Sequence, residues 1–272
     1  MKRVKEINLF IITLMAAITL SACGGGAKQT EETSQTDATE VSAKSVAQYP
    51  IPTSFEVTKM LNKAGASYIL SLNNPVENVD KYFTLKSRAL NLGVYGANLS
   101  YASTYQMKQE TMNYFNVAKR LIDDLQITTA FNAKFAERVQ ANIDNKDSLI
   151  HIISQSFYDT YQFLMSNGKD NVSLLVMGGS WVEGLYITTQ IASITKDNTD
   201  FIKIIASQKD PLNNLMELMA KSESDQMVAE VIALLKPLQD VFAGVTTDSL
   251  SKEQIEKITQ LATSIREEII KG

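Results

Sequence analysis

The sequence predicts an all-α fold, a multi-helix bundle of about nine or ten helices. Two observations lead to this prediction. Apolar residues recur at intervals of three and four along most of the chain after residue 48, and no segment shows a convincing strand alternation. Capping and helix-breaking residues lie between these periodic segments. We therefore expect one helical globular domain at 49–272.

The first five helices each have a local signal. Thr53 or Ser54 can cap a helix that ends near Lys63, where Gly65 can terminate it, and Asn73-Asn74-Pro75 marks a turn. The next four helices are predicted from apolar stripes: Tyr82, Leu85, Ala89, Leu92, Gly96 and Leu99; Thr111, Tyr114, Ala118, Leu121 and Leu125; Phe131, Phe135 and Val139; Leu149, Ile153, Phe157, Tyr161 and Leu164. Each stripe predicts one buried helix face.

The second half begins with a segment, 172–194, that is apolar around most of its circumference, which predicts a central helix. Asp210 and Pro211 resemble an N-cap followed by proline at the first helical position. A helix from about Asp225 should kink at Pro237, because proline cannot donate to the carbonyl four residues earlier. In the last helix, Ser251-Lys-Glu-Gln is a capping box, and an apolar stripe follows it: Ile255, Ile258, Ala262, Ile265 and Ile269.

Two glycine-containing segments share a faint pattern. Leu90, Gly93, Tyr101 and Thr104 align with Leu175, Gly178, Tyr186 and Thr189 when 90–104 is laid over 175–189. The pattern is compatible with two related helical halves whose glycine-bearing helices face each other, or with chance.

The glycines at 178, 179 and 184 have two interpretations, because each is unfavourable in a helix interior by about 1 kcal/mol relative to alanine. They can allow close helix packing, which we favour, or they can open space for a ligand.

The N-terminal residues predict a lipoprotein signal. A basic start precedes an apolar run from Leu9 to Leu20, which is too short to span a bilayer but has the length of a signal peptide. Leu20-Ser21-Ala22-Cys23 then resembles the lipobox of bacterial lipoproteins. We expect 1–22 to be removed and the membrane contact to be made by lipid on Cys23.

The composition changes after Cys23. The segment 23–48 contains no aromatic residue and predicts a disordered tether with an end-to-end scale of about 25 to 30 Å. Gly24 stands where an aspartate would resemble an inner-membrane retention signal. This resemblance implies the outer membrane of a Gram-negative envelope as the location.

Charge and residue inventory exclude several functions. The formal net charge is −4, and loss of the signal makes it more negative, so binding to nucleic acid is disfavoured. Cys23 is the only cysteine and His151 the only histidine, which leaves neither a disulfide nor a histidine or cysteine cluster for a metal. The sequence predicts no cofactor and no metal, and His151 is expected on a solvated helix surface.

Glu183 is the polar residue that most needs an explanation, because it lies on a mostly apolar helix. It must either pair with a cation such as Arg88 or line a polar cavity. We predict a concave ligand-binding groove near the following residues: Tyr95, Asn98, Tyr101, Trp181, Glu183 and Tyr186. The alternative for the aromatic residues is an ordinary place in the core.

Three segments carry a family resemblance: the glycine-containing stretch at 90–101, Asn142-Ile-Asp-Asn-Lys-Asp-Ser-Leu, and Gly178-Gly-Ser-Trp-Val-Glu-Gly-Leu-Tyr. They resemble segments of uncharacterised all-helical lipoproteins of Gram-negative bacteria, over about 78–194. The resemblance implies an envelope location and a helical fold, and it brings no activity.

Two classes of function therefore stand as predictions. The first is a non-enzymatic binding or interaction module that is anchored through Cys23 and recognises a small molecule, glycan, peptide or envelope protein. The second is an envelope polymer hydrolase or lyase that uses Glu183 as acid or base. No catalytic motif supports the second, so we expect a protein that is not an enzyme.

Overall fold

The computed structural model describes residues 50–127, 133–245 and 249–272. These residues form ten α-helices and two short 3₁₀ segments, which confirms the all-α bundle. The α-helices are α1 (Ser54–Lys63), α2 (Leu85–Thr104), α3 (Lys108–Asp124), α4 (Ala133–Ala141), α5 (Lys146–Ser166), α6 (Asp170–Ile194), α7 (Thr199–Ala206), α8 (Lys209–Ala220), α9 (Gln226–Ala243) and α10 (Lys252–Lys271). The 3₁₀ segments are Leu70–Leu72 and Val76–Lys81. The predicted signal, Cys23 and the tether lie outside the described residues.

Several helix ends follow from local chemistry as predicted. Thr53 is the N-cap of α1, and Gly65 ends this region with a φ of 82°, which favours glycine. Ser251 and Gln254 form the predicted capping box of α10, with Gln254 N donating to Ser251 Oγ over 3.2 Å. These ends need few tertiary contacts, which explains why sequence patterns identify them.

Two predictions about helix ends are wrong, and one helix was not predicted. The helix predicted to include Tyr82 begins at Leu85, because Thr84 forms a capping box with Ser87. Asp210 is not an N-cap, since α8 begins at Lys209 and Asp210 lies in its first turn. The short helix α7 was not predicted, because eight residues give too few turns for a clear periodicity.

Two helices occupy the centre of the bundle. The predicted central helix, α6, is buried along almost its whole length, and α2 is buried to the same degree instead of on one face. The pair α2 and α6 makes the most extensive helix contact among the described elements. Leu85, predicted to face the core, is 43% exposed, because it lies at the free end of α2.

The two central helices touch through their backbones. A Cβ atom on Gly93 would lie 2.1 Å from the carbonyl oxygen of Val176, and one on Gly179 would lie 1.9 Å from that of Leu90. Contacts this short are impossible, so the packing explanation holds for these glycines. It does not hold for Gly184, whose Cβ would meet nothing within 4 Å. The glycine-bearing helices do face each other.

The other helices surround this pair. α1, α3 and α5 pack against α2, whereas α7, α8, α9 and α10 pack against α6. Pro237 lies inside the helix assigned as α9. In the described part of the chain, no helix is both long enough and apolar enough to cross a bilayer.

Candidate functional site

The central helix α6 carries a fully buried carboxylate, Glu183, in the middle of its length. Arg266 from α10 donates to both carboxylate oxygens: its Nε lies 3.0 Å from Oε2 and its Nη2 lies 3.3 Å from Oε1. Asn98 from α2 adds a third hydrogen bond from its Nδ2 to Oε1 over 2.7 Å. The negative charge is therefore paired and hydrogen-bonded, as a buried charge must be.

Arg266 is almost as buried as its partner, since only 9% of its side chain is exposed. Its Nη2 also donates to the carbonyl of Leu72 over 3.1 Å, and its guanidinium lies 4.6 Å from the ring centroid of Tyr186. Burial by itself would lower the pKa of Arg266, but the charge and the hydrogen bonds of Glu183 outweigh burial and raise that pKa. The guanidinium stays protonated and remains a permanent counter-ion.

A chain of hydrogen bonds extends from this ion pair into the segment before α2. The side-chain oxygen of Asn98 accepts from the backbone N–H of Asn74 over 3.0 Å, and Asn74 Nδ2 donates to the hydroxyl of Tyr82 over 2.9 Å. Tyr82 in turn donates to the carbonyl of Ile270 over 3.1 Å. The network joins α2, α6, α10 and the 73–82 segment through groups that are nearly all buried.

Two tyrosines of α2 bind the irregular chain between α1 and α2. The hydroxyl of Tyr95 donates to the carbonyl of Pro75 over 2.7 Å, and the hydroxyl of Tyr101 donates to that of Ser67 over 3.2 Å. Tyr101 also accepts from the backbone N–H of Ile69 over 3.0 Å. Burial raises the pKa of Tyr101 to about 12 and that of Tyr95 further, so both hydroxyls are protonated donors near neutral pH.

The remaining predicted site residues lie on different sides of α6. Trp181 is 5% exposed and faces Phe242 of α9 with ring centroids 6.5 Å apart, and its indole N–H is buried without a hydrogen-bond partner. Tyr186 is half-buried beside Arg266.

The six predicted residues therefore do not form one open groove. Five of them are buried, because the bundle closes over α2 and α6, and only Tyr186 is partly exposed. The structure brings Asn98, Glu183 and Tyr186 together around Arg266. Tyr95 and Tyr101 instead bind the segment before α2, and Trp181 packs towards α9.

Glu183 pairs with a cation, which is one of the two predicted alternatives, but the cation is Arg266 and not the suggested Arg88. Arg88 donates to the carbonyl of Tyr82 over 3.1 Å and lies 3.9 Å from a carboxylate oxygen of Asp124, at the end of α2. The sequence did not identify Arg266 as the partner of Glu183, although the spacing around Arg266 contains a signal. It follows Ala262 by four residues and precedes Ile269 by three, which places a cation on the apolar face of α10.

Two open grooves of about 500 Å³ lie beside α10. One is formed with the end of α6. Its lining surface is mainly apolar in area, although most of its lining residues have polar side chains: Ser193, Ile255, Glu256, Thr259, Gln260, Thr263, Ser264 and Glu267. Gln190, one turn beyond Tyr186, donates to Thr263 in its wall over 3.1 Å. The other groove lies between α2, α9 and α10, and its lining includes Leu90, Val231 and Ile269. Both volumes fall in the range of small-molecule sites.

A smaller cavity of about 30 Å³ lies between α2, α3, α5 and α6. Its walls are mainly apolar, and the ring of Phe157 occupies the space that a side chain on Gly96 would need. A cavity of this size can hold only about one or two water molecules. We interpret this cavity as a gap in the packing of the four helices and not as a ligand site.

The described residues contain no cluster of three or more histidine, cysteine, aspartate or glutamate side chains that could hold a metal ion. No family model matches the chain, and neither a curated protein nor a solved structure matches it.

Proposed function

We propose that this protein is a lipid-anchored lipoprotein of the bacterial cell envelope that acts as a non-enzymatic binding or interaction module. The observation that carries the proposal is the order basic start, short apolar run, small residues and Cys23, the only cysteine. Two lipid chains on Cys23 would supply stable anchoring without a membrane-spanning helix. The outer membrane of a Gram-negative envelope is the location that Gly24 favours.

Metabolic labelling with a fatty-acid analogue tests the anchor. The wild-type chain should incorporate the label, and Cys23→Ala should abolish incorporation because no other thiol can accept the diacylglyceryl group. Ser21→Ala is the matched control, since it keeps a small residue at the predicted cleavage site and should preserve labelling. Continued labelling of Cys23→Ala would contradict the proposal.

The groove between α6 and α10 is the surface that we propose for the ligand. Its hydroxyl and carboxylate groups could bind a polar ligand such as a glycan or a peptide. Thr259 lines this groove, so Thr259→Arg should obstruct it. Glu217→Arg on the exposed face of α8 is the control.

A thermal-shift screen of glycans and peptides tests this surface. Ligands that raise the melting temperature of the wild type and of Glu217→Arg should have no effect on Thr259→Arg. Ligands that still raise the melting temperature of Thr259→Arg would indicate that the binding surface lies elsewhere. Trp181 is buried and does not line this groove, so its fluorescence would report on folding better than on binding.

The burial of Glu183 weighs against the hydrolase or lyase alternative. A general acid or base must come within hydrogen-bond reach of its substrate, whereas this carboxylate has no exposed surface and three protein donors. The alternative predicts that Glu183→Gln loses turnover and keeps its stability. The proposal predicts loss of stability.

A further inference from the structure

An exposed apolar pair precedes and begins α2. Phe83 is 76% exposed, the highest value among the large apolar side chains of the described residues, and Leu85 is 43% exposed. Thr84 between them has extended backbone, with φ −87° and ψ 157°. In extended chain, residues two apart point to the same side, so Phe83 and Leu85 present one apolar surface.

This surface stands on a rigid support. Tyr82 is 2% exposed, its hydroxyl donates to the carbonyl of Ile270, and its own carbonyl accepts from Arg88. On the other side, Thr84 and Ser87 exchange two hydrogen bonds in the capping box. These hydrogen bonds fix the residues on both sides of Phe83. The aromatic ring of Phe83 therefore remains exposed to water.

The predicted tether joins the domain through α1, which begins beside the C-terminal part of α2. Ser54 Oγ is 3.5 Å from Ser100 Oγ, and Thr58 Oγ1 is 3.2 Å from Thr104 Oγ1, so α1 and α2 run parallel. The tether thus joins the domain at the level of Ser100. Leu85 lies about 22 Å from Ser100 along α2, at 1.5 Å per residue, which is less than the end-to-end scale of the tether.

We propose that Phe83 and Leu85 insert into the interface of the bilayer that holds the lipid on Cys23. The inference rests on the proposed lipid anchor. The predicted tether spans about 25 to 30 Å, which is enough for the domain to turn this end onto the membrane surface. Burial of one aromatic ring gives weak affinity by itself, but the tether keeps the domain at high effective concentration near the bilayer.

The surrounding charges indicate that insertion depends little on anionic lipid. Lys86 forms an ion pair with Glu230, and Arg120 pairs with Asp80 over 2.7 Å. These two cations are balanced by carboxylates, whereas Lys81 donates to the amide oxygen of Asn78. We therefore expect apolar burial to supply most of the attraction.

Site-specific fluorescence on the full lipidated chain tests the proposal. Because lipid occupies the sulfur of Cys23, an introduced cysteine is the only free thiol. Leu85→Cys and Ile194→Cys would each carry an environment-sensitive dye on vesicles of phosphatidylethanolamine and phosphatidylglycerol. Ile194 is the matched control: it is 69% exposed, and it lies about 33 Å along α6 from Val172, which lines a groove with Leu85.

The dye at position 85 should show blue-shifted emission and quenching by lipid-borne quenchers, whereas the dye at 194 should remain in water. Adding Phe83→Ser should lower the docking equilibrium constant about tenfold, from loss of a buried aromatic ring. A water-like dye at 85 on vesicle-bound protein would overturn the inference while leaving the anchor intact. Shielding at 85 only after addition of a lipid-free envelope extract would assign the surface to a protein partner. Failure of the chain to attach to vesicles would instead refute the anchor.

Discussion

The contact between α2 and α6 uses two different chemistries within a few turns. At Gly93 and Gly179 the missing side chains let the two backbones touch. Farther along the same helices, Asn98 donates to the buried carboxylate of Glu183, and Arg266 from α10 neutralises it. One region depends on shape and the other on charge.

The two regions are therefore destabilised by different kinds of substitution. A close backbone contact fails when atoms are added, because neither backbone can move without separating the helices. A buried ion pair fails when one partner is removed, because the other charge is left without compensation. Substitutions that are conservative in one region are therefore severe in the other.

The largest effect is expected from Glu183→Gln. It should lower the free energy of unfolding by about 3 to 5 kcal/mol, because Arg266 loses its buried counter-ion. Chemical denaturation measures this change. Glu217→Gln on the exposed face of α8 should have almost no effect, and equal stability of the two variants would contradict a structural role for the ion pair.

Gly179→Ala should be nearly as severe, at about 3 kcal/mol, because its Cβ would overlap the carbonyl oxygen of Leu90. Gly184→Ala on the same helix is the matched control. Its Cβ would meet nothing within 4 Å, so it should stabilise the protein by up to about 1 kcal/mol through helix propensity. Changes of the same sign in the two variants would refute the close-contact explanation.

Replacing both members of the ion pair should be less damaging than replacing either one. Glu183→Met combined with Arg266→Met leaves no buried charge, although Asn98 and the carbonyl of Leu72 lose a partner. We expect a coupling energy of about 2 kcal/mol in a double-mutant cycle of unfolding free energies. Additive effects would indicate that the two charges do not stabilise each other.

The smallest effect at neutral pH concerns the buried tyrosines. The pKa of Tyr101 is raised from 10.0 to about 12, mainly by burial. Below pH 10 both the folded and the unfolded state keep the proton, so the full contribution to stability is present; it is lost as the pH rises from about 10 to about 12. Tyr101→Phe should reduce the slope of unfolding free energy against pH in this window, and an unchanged slope would contradict the assignment.

Local sequence signals predicted much of the fold. The capping box at Ser251, the end at Gly65 and the apolar stripes act over a few residues, so they appear directly in the sequence. α7 was missed because it is short, and the equal burial of α2 was missed because its hydroxyl and amide side chains resemble a polar face.

The candidate site was also predictable only in part from the sequence. Glu183 stood out as a carboxylate on an apolar helix, and the need for a partner followed from the free energy of burying a charge. Its partner lies 83 positions away, and no local pattern indicates which arginine the fold brings near it. The predicted groove failed for a related reason: aromatic and amide residues look alike in sequence whether they face a ligand or other helices.

The sequence by itself determined most of the helices and predicts the tether and the lipid attachment, because periodicity, composition and a short signal are properties of neighbouring residues. Only the tertiary structure decided that Gly93 and Gly179 mark a backbone contact, that Arg266 neutralises Glu183, and that Phe83 remains in water. These outcomes depend on which distant residues pack together in the fold. That packing determines which groups are buried and therefore the free energy of burial.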